Sequence, residues 1–304
     1  MRWIDVTNAK DLNSPEIKYL KQNFQVHPIN LQDCISTCQR PKLDIYPDHL
    51  FLVLLYPLYN RTTGVITPAE IDFIINREYI ISVHDNKLPI FVNFFNHLKK
   101  TKHQQEKNEF LSNNVIIILY EILNKLIMHC FPMLDHISLD IHRAEKRIFQ
   151  GREKELVEKI LASRRNIVNF RKIMQAHKNI MKKLEQANRE IKFFDQNKAD
   201  VYFNSLIEKV KDIWDNLEGF KESIEALHDT NESLISFRLN QIMKTFTSIS
   251  VVIFFLTLVA TIFGIGATNT PFTRLPLGFW FIIILEVAIA WLILRFFKKR
   301  RWLE

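Results

Sequence analysis

Glycine is scarce in this chain, with 6 residues in 304. No glycine-rich loop of the kind that binds phosphate occurs, and the sequence contains neither an HExxH pattern nor a recognisable nucleophile–base arrangement. The sequence therefore gives little support to an enzyme, and we expect no catalytic residue and no bound cofactor.

Cysteine is also rare, with 3 residues. Cys34 and Cys38 would share a helix face, but no nearby His or second Cys pair completes a metal site, so we expect structural thiols in a reducing compartment. The first residues, MRWID, lack the apolar segment of a secretory signal, and no cleaved leader is expected.

Charge is dispersed rather than gathered into a binding patch. The net charge is +8, but the lysines are scattered along predicted helices, and the tightest basic cluster is Lys298, Lys299, Arg300 and Arg301. Basic residues that flank a membrane span mark its cytoplasmic side. We therefore expect a cytoplasmic C-terminus and no nucleic-acid partner.

Apolar stretches long enough to cross a bilayer are confined to the last sixty or so residues, at about 245–265 and 277–297. At ~1.5 Å per residue, each covers a hydrocarbon core of ~30 Å. An apolar run at 115–119 is too short and precedes a polar face. We predict an integral membrane protein with two spans, the lipid bilayer as a partner, and both termini in the cytoplasm.

The residues before the spans change pattern once. Residues 1–105 contain strand-length runs at 42–45, 49–56, 70–75 and 79–84, whereas residues 106–242 are almost entirely helical, with heptad positions at Ile160, Ile167, Met174 and Met181. We expect an α+β membrane protein. Its regions would be an α/β cytoplasmic domain (1–105), long helices with a stalk (106–242) and a transmembrane domain (243–304) with an outer loop at 266–276.

The stalk and the first span are predicted to form one helix. From near Val201 the apolar spacing of four and three residues continues without a break until Gly264 and Gly266. Such a rod has about 60 residues and is roughly 90 Å long. Because it cannot bury its own apolar seam, we expect a bundle or a symmetric oligomer.

A polar stripe follows one face of this helix. The same spacing connects Asp229, Ser233, Ser236, Asn240, Met243, Thr247, Ser250, Phe254, Thr257, Thr261 and Gly264. In a symmetric ring this face would line a channel, with carboxylates of Asp229 attracting cations at the inner mouth. The alternative is a small-residue packing seam between spans.

Several segments resemble a known family in a fixed order. They are WIDV at 3–6, HPINLQDCISTCQRPKLDIYPDHLFLVL at 27–54, EIDF at 70–73, YIISVH at 79–84, Tyr202-Phe203, LISFRLNQIMK at 234–244 and the terminal Trp302-Leu303. Together they resemble CorA-type magnesium transporters over nearly the whole chain. The resemblance implies a funnel-shaped homopentamer in which stalk helices continue into pore-lining first spans and a hydrated divalent cation, such as Mg²⁺, is carried.

The resemblance also assigns the path. The family's pore would fall on Asp229, Asn240, Met243, Phe246, Thr247, Ser250, Phe254 and Thr257, which agrees with the stripe. Phe246 and Phe254 stand where the family has large apolar constrictions, which close a pore by dewetting. The basic segment 298–301 would ring the stalk base, in addition to orienting the chain.

The outer entrance departs from the family. The family motif is Gly-Met-Asn, or Gly-Ile-Asn in zinc-transporting relatives, whereas this chain has Gly264-Ile265-Gly266, with Asn269 three residues later. A ring of Asn side chains offers acceptor oxygens to the waters of hydrated Mg²⁺, and Gly266 offers only backbone carbonyls. The one charge of the outer loop is Arg274, so no carboxylate concentrates cations there.

Two further positions differ. Ser205 stands where some relatives carry a regulatory Asp, which leaves Glu208 and Asp229 as the metal-binding candidates. Glu286 lies near the middle of the second span, where an ionised carboxylate costs ~2.5–3.5 kcal/mol. It is either a protonated donor to a neighbouring helix or a proton-titrating site that couples or gates transport.

The leading interpretation is a CorA-type homopentameric channel or transporter for a divalent cation (Mg²⁺, Co²⁺, Ni²⁺ or Zn²⁺) in the cytoplasmic membrane, with altered entrance selectivity. Two alternatives stay open. One is a CorA-shaped membrane scaffold or sensor that has lost conduction. The other is a channel for a different ion, even an anion.

Overall fold

The computed structural model of the chain describes residues 2–7, 11–24, 26–36, 40–100, 115–151, 153–191, 196–265, 277–300 and 302. The chain divides into two compact units, Met1–His228 and Asp229–Glu304. The three-part division expected from the sequence stays a prediction.

The N-terminal unit contains a mixed five-stranded sheet. Its strands are β1 (Arg2–Thr7), β2 (Lys42–Ile45), β3 (Leu50–Asn60), β4 (Val65–Ile75) and β5 (Tyr79–His84), in the spatial order β1-β5-β4-β3-β2. β1 is parallel to β5, and the other pairs are antiparallel. The Ser82 hydroxyl on β5 donates to the Asp5 carboxylate on β1 at 2.5 Å and accepts from the Trp3 indole at 3.0 Å.

The described helices are α1 (Pro15–Asn23), α2 (Pro28–Asp33), α3 (Pro89–Lys100), α4 (Val115–Met128), α5 (Cys130–Arg147), α6 (Glu153–Met174), α7 (His177–Ile191), α8 (Gln196–Gly264) and α9 (Gly278–Lys299). The first begins as predicted, because the Ser14 hydroxyl accepts from the Ile17 N–H at 3.4 Å and Pro15 follows. In α2 the same role belongs to His27, whose Nδ1 accepts from the Ile29 N–H at 3.3 Å.

One face of the sheet and the projecting part of the β3–β4 hairpin each have a helical cover. The cluster on one face joins the α1–α2 segment to the sheet through Ile17, Leu20, Leu31, Phe51, Val53 and Ile74. On the edge formed by the β3–β4 hairpin, α6 packs against both strands. There Asn169 donates to the Ile66 carbonyl at 3.0 Å, and Asn166 holds the backbone of Gly64 and Ile66.

Four boundaries differ from the sequence prediction. The hairpin strands extend to Asn60 and begin at Val65, where 49–56 and 70–75 were expected. The heptad positions are buried as predicted, but the helix is interrupted between Met174 and His177, so they are divided between α6 and α7. The long helix begins at Gln196 rather than near Val201, so residues 196–200, which interrupt the apolar spacing, already belong to the helix.

By length and composition, three described helical stretches are apolar enough to cross a membrane: Val115–Arg147, Ala199–Gly264 and Gly278–Lys299. The first behaves differently from the others, because half of its most apolar window is buried within the chain, against 11% and 0% for the other two. Ile116, Leu119 and Ile122 of α4 are fully buried. Its apolar side therefore belongs to the core of the N-terminal unit.

Candidate ion-conduction path

Helix α8 carries the predicted stripe without interruption. It has 69 residues and contains no proline, which leaves its backbone ladder intact. Gly219 is tolerated within it, and a Cβ added there would meet no atom within 4 Å. The helix ends at Gly264, and the Ile265 N–H still donates to the Thr261 carbonyl at 3.1 Å.

All the pore-lining candidates lie on this one helix. Side chains three and four residues apart share a helix face, so the stripe found in the sequence is a physical stripe along α8. Phe246 adjoins it, because it lies three residues after Met243 and four before Ser250. Every member is exposed in the single chain: Asp229, Asn240, Met243, Phe246, Thr247, Ser250, Phe254, Thr257 and Thr261.

Hydroxyl groups along the stripe donate to their own helix. The Ser233 hydroxyl bonds the Asp229 carbonyl at 2.9 Å, Thr257 bonds the Ile253 carbonyl at 2.8 Å, and Thr261 bonds the Thr257 carbonyl at 2.6 Å. With its proton committed to the backbone, such a hydroxyl presents acceptor lone pairs outward. At these three positions the stripe therefore presents acceptors outward, and such acceptors suit the water shell of a cation.

Large apolar side chains interrupt the row of acceptors. Phe246 is 66% exposed and Phe254 is 64% exposed, so neither ring is covered within the chain. Phe254 makes an edge contact with Phe255 at 6.0 Å. Rings of this size can narrow a pore when several copies of the helix meet, and an apolar constriction excludes water.

The two metal-binding candidates are not brought together. Glu208 and Asp229 are exposed and lie about six turns apart along α8. Ser205 is near Tyr120, with the two hydroxyl oxygens 3.5 Å apart. Among the described residues, no three His, Cys, Asp or Glu side chains lie close enough together to hold a metal ion.

The outer entrance is only partly described. Gly264 closes α8, Ile265 follows as a bend and is 60% exposed, and a Cβ on Gly264 would meet nothing within 4 Å. Gly266, Asn269 and Arg274 lie outside the described residues.

The second span, α9, carries the remaining candidates. Glu286 is half-buried within it, two turns after Gly278. Lys298 and Lys299 form its last turn and Arg300 caps it, which is where cations are favoured by the helix dipole. Arg301 is not among the described residues.

A family model described as a CorA-like Mg²⁺ transporter protein matches residues 1–299. The chain belongs to the CorA family. Among its relatives, the cobalt/magnesium transport protein CorA of Thermotoga maritima is 22% identical, over 99% of this chain and 83% of its own length. The protein of the same description from Methanocaldococcus jannaschii is also 22% identical, over 99% of this chain and 91% of its own length.

Solved structures agree on the fold of this CorA-family chain. The complete structure of the CorA magnesium transporter from Methanocaldococcus jannaschii matches with a TM-score of 0.82 at 20% identity, covering 99% of this chain and 91% of that one. The full-length CmaX protein matches with a TM-score of 0.71 at 18% identity, covering 99% and 88%. The predicted fold class is therefore confirmed. Membership of the CorA family, which the family model shows, bears out the expectation of an ion transporter rather than an enzyme.

A partly exposed charged cluster beside the buried Asp72 was missed by sequence reasoning in this CorA-family chain. Lys42 on β2 is ion-paired with Asp33 at 2.7 Å and with Asp44 at 2.6 Å. On the same sheet face Asp72 is 2% exposed, and burial, with the nearby Glu70 charge, raises its carboxyl pKa well above the usual range. The only local signal was a carboxylate between Ile and Phe in a strand.

Proposed function

We propose that the chain is a homopentameric channel or transporter for a divalent metal cation in the cytoplasmic membrane, with both termini in the cytoplasm. The observation that carries the proposal is the acceptor stripe on α8, which runs along an apolar helix long enough to cross a bilayer. The family membership supports transport of Mg²⁺ or Co²⁺, because those ions name the curated relatives.

A ring of copies is the arrangement that makes the stripe useful. The acceptor face and the apolar side chains around it are exposed in one chain, and an isolated span would place hydroxyls and Asn240 against lipid. In a ring of five copies, the stripes would face a common water-filled channel, and the apolar sides of the helices would face neighbouring copies and lipid. Asp229 would then concentrate cations at the inner mouth, and Phe246 and Phe254 would gate.

Selectivity would differ from that of a magnesium path with an Asn ring. Gly266 contributes no side-chain acceptor at the outer entrance, so recognition of hydrated Mg²⁺ there would rest on backbone carbonyls, with Asn269 nearby. We expect weaker preference for Mg²⁺ over Co²⁺, Ni²⁺ and Zn²⁺ than an Asn ring would give.

The direct test is ion flux into liposomes containing the full-length protein, with each of these four cations in turn. We expect saturable flux of at least one cation, reduced by Asp229→Asn and little changed by Asp212→Asn, an exposed carboxylate on the same helix about 100° around from the stripe. Absence of flux for every cation would reject the proposal.

The second candidate is a membrane scaffold or sensor with the CorA fold and no conduction, and it is favoured by the missing Asn. Gly266→Asn separates the two. Mg²⁺ flux that appears only in the variant would mean that the native protein is not a magnesium path. Reversal potentials in a salt gradient would reveal an anion path; the acceptor stripe favours cations.

Glu286 adds a proposal of its own, that a proton on this carboxylate modulates transport. Glutamine keeps the size and hydrogen-bond donor of a protonated Glu, so Glu286→Gln should assemble normally. If the proton matters, flux in the variant should lose the pH dependence that the wild-type protein shows. Full retention of that dependence would leave Glu286 with a packing role only.

A further inference from the structure

A cavity of about 490 Å³ lies within the N-terminal unit, between the tip of the β3–β4 hairpin and the facing sides of α5 and α6. None of the conduction-path residues lines it. The Asn166 side chain on α6 donates to the Gly64 carbonyl at 2.8 Å and accepts from the Ile66 N–H at 3.0 Å. Because the hairpin tip is held against the helix, the cavity is preformed.

Its charged lining is almost entirely cationic. Among the lining residues that the structure describes, Arg143 and Arg147 enter from α5, Lys159 and Arg165 enter from α6, and the one carboxylate is Asp140. That carboxylate is already paired with the Arg143 guanidinium at 3.1 Å. The other three cations make no ion pair with any residue that the structure describes.

Exposed Lys and Arg side chains are ordinarily just solvated, so their number alone says little. What distinguishes these is that they converge on one concave space, where like charges repel unless an anion lies between them. The remaining wall is mixed: Tyr59, Ala144, Leu156 and Ala162 supply apolar surface, and Thr63, Ser163 and Asn166 supply polar groups. The cavity therefore suits a ligand that is anionic at one end and carries, at the other end, a flat group with apolar faces and polar edges.

The geometry points to a binding site for a nucleoside polyphosphate, with its phosphates against Arg147, Lys159 and Arg165 and its base against Tyr59 and Leu156. The size is appropriate, because small-molecule sites typically occupy ~300–1,000 Å³. Arginine is well matched to phosphate, since its planar fork donates two parallel hydrogen bonds. This function is separate from the proposed conduction path and does not depend on it.

The test is calorimetric titration of the full-length protein in detergent with ATP, in EDTA and at about 50 mM salt so that screening is weak. We expect saturable binding with one site per chain and a Kd below about 1 mM. Arg147→Gln with Arg165→Gln should weaken binding at least about tenfold. The matched control, Lys182→Gln with Lys183→Gln on α7, removes the same charge from an exposed surface outside the cavity and should change Kd by less than about twofold.

Two outcomes would overturn the site: binding that does not saturate, or equal weakening by the cavity and control variants. The nucleoside assignment has its own test. Tyr59→Ala should weaken ATP binding and leave inorganic triphosphate unaffected. Triphosphate that binds the wild-type chain as tightly as ATP would overturn the base contact.

Discussion

His177 is a fully buried imidazole at the start of α7, with its ring edge-on to Tyr56 at 5.1 Å. Burial lowers its pKa to about 4, and the backbone at Ile173 opposes this effect only in part. An unfolded His has a pKa of ~6.5, so between these two values the unfolded state binds more protons. The contribution of His177 to stability is therefore complete above about pH 6.5 and is lost as the pH falls toward 4.

We expect His177→Leu to flatten the acid side of the stability profile by up to about 3 kcal/mol. The measurement is thermal unfolding of the purified protein at a series of pH values from about 4 to 8. His142→Gln changes an exposed His and should leave the profile unchanged. An identical slope in His177→Leu and wild type would contradict the assignment.

The stability contribution of Asp72 depends on pH in the opposite direction to that of His177. Its buried carboxyl has a raised pKa, accepts from the Cys34 thiol and leaves Oδ1 without a hydrogen-bond partner. An unfolded Asp ionises near pH ~4, so the stability present below that value is lost as the pH rises toward the folded-state pKa. The same neighbourhood raises the pKa of the Cys34 thiol, first through burial and then through Asp72, which makes Cys34 a poor nucleophile.

Asp72→Asn should therefore stabilise the protein near pH 7.5, by about 1 kcal/mol or more, because an amide needs no ionisation. The gain should shrink as the pH approaches 4. Melting temperatures of the variant and wild type at both pH values test this, with Asp212→Asn as an exposed control. A lower melting temperature at pH 7.5 would show that the carboxylate is stabilised by Lys42 instead.

At the scale of elements, the β3–β4 hairpin shows why a strand boundary was missed. Proline normally ends a strand prediction, and Pro57 follows the predicted end at Tyr56. In the sheet, Pro57 lies directly opposite Pro68. Neither residue can donate, so they form a non-hydrogen-bonded pair, and none of the other described strands pairs with either position. Two prolines that face each other in this way remove no hydrogen bond between the strands. A rule based on neighbouring residues in the sequence cannot anticipate this pairing.

The stripe on α8, in contrast, followed from spacing alone. A helix has one period, so residues that share a face can be read from the sequence once the helix is known to be continuous. The cationic cavity could not be found in this way. Its lining comes from a hairpin tip near residue 60 and helices beyond residue 140, and their proximity depends on tertiary packing.

The acceptor role of the stripe hydroxyls is testable at Thr257. Thr257→Val keeps the shape and removes the outward lone pairs, whereas Thr257→Ser keeps them. If each hydroxyl is worth ~1 kcal/mol to the passing hydrated ion, initial flux should fall about fivefold in the Val variant and little in the Ser variant. Thr245→Val, on the opposite face of α8, is the matched control for apolar substitution within the helix. Equal flux in Thr257→Val and Thr245→Val would remove the stripe hydroxyls from the path.

At the scale of the whole molecule, the proposed pentameric ring predicts the mass of the assembled complex. Native mass spectrometry of the detergent-solubilised protein should give five times the 36.2 kDa chain after detergent is removed. The exposed apolar side chains of α8 and α9 make a lone chain in water unfavourable, since few of them are covered within the chain. A mass of one or two chains under conditions that preserve flux would contradict the ring.

Family membership and the two apolar helices were within reach of the sequence, because length, hydropathy and ordered motifs survive at about one-fifth identity. The number of copies was not, because the residues that would meet a neighbour look the same in sequence as residues that meet lipid. The effect of Gly266 on the entrance likewise depends on the oligomer, because the entrance would be formed by this residue from several copies around one axis.

Because the helix is unbroken from Asp229 to Gly264, the angle of each side chain about the helix axis is fixed by its position in the sequence. Each residue advances the helix by ~100° and ~1.5 Å. Removing one residue between Asn240 and Thr247 would therefore swing the membrane half of the stripe about a quarter turn away from its cytoplasmic half, although no side chain of the stripe had been altered. Removing seven would leave a mismatch of only ~20°. Substitutions on the far face of α8 therefore leave the stripe aligned, whereas a change in the number of residues in this segment does not.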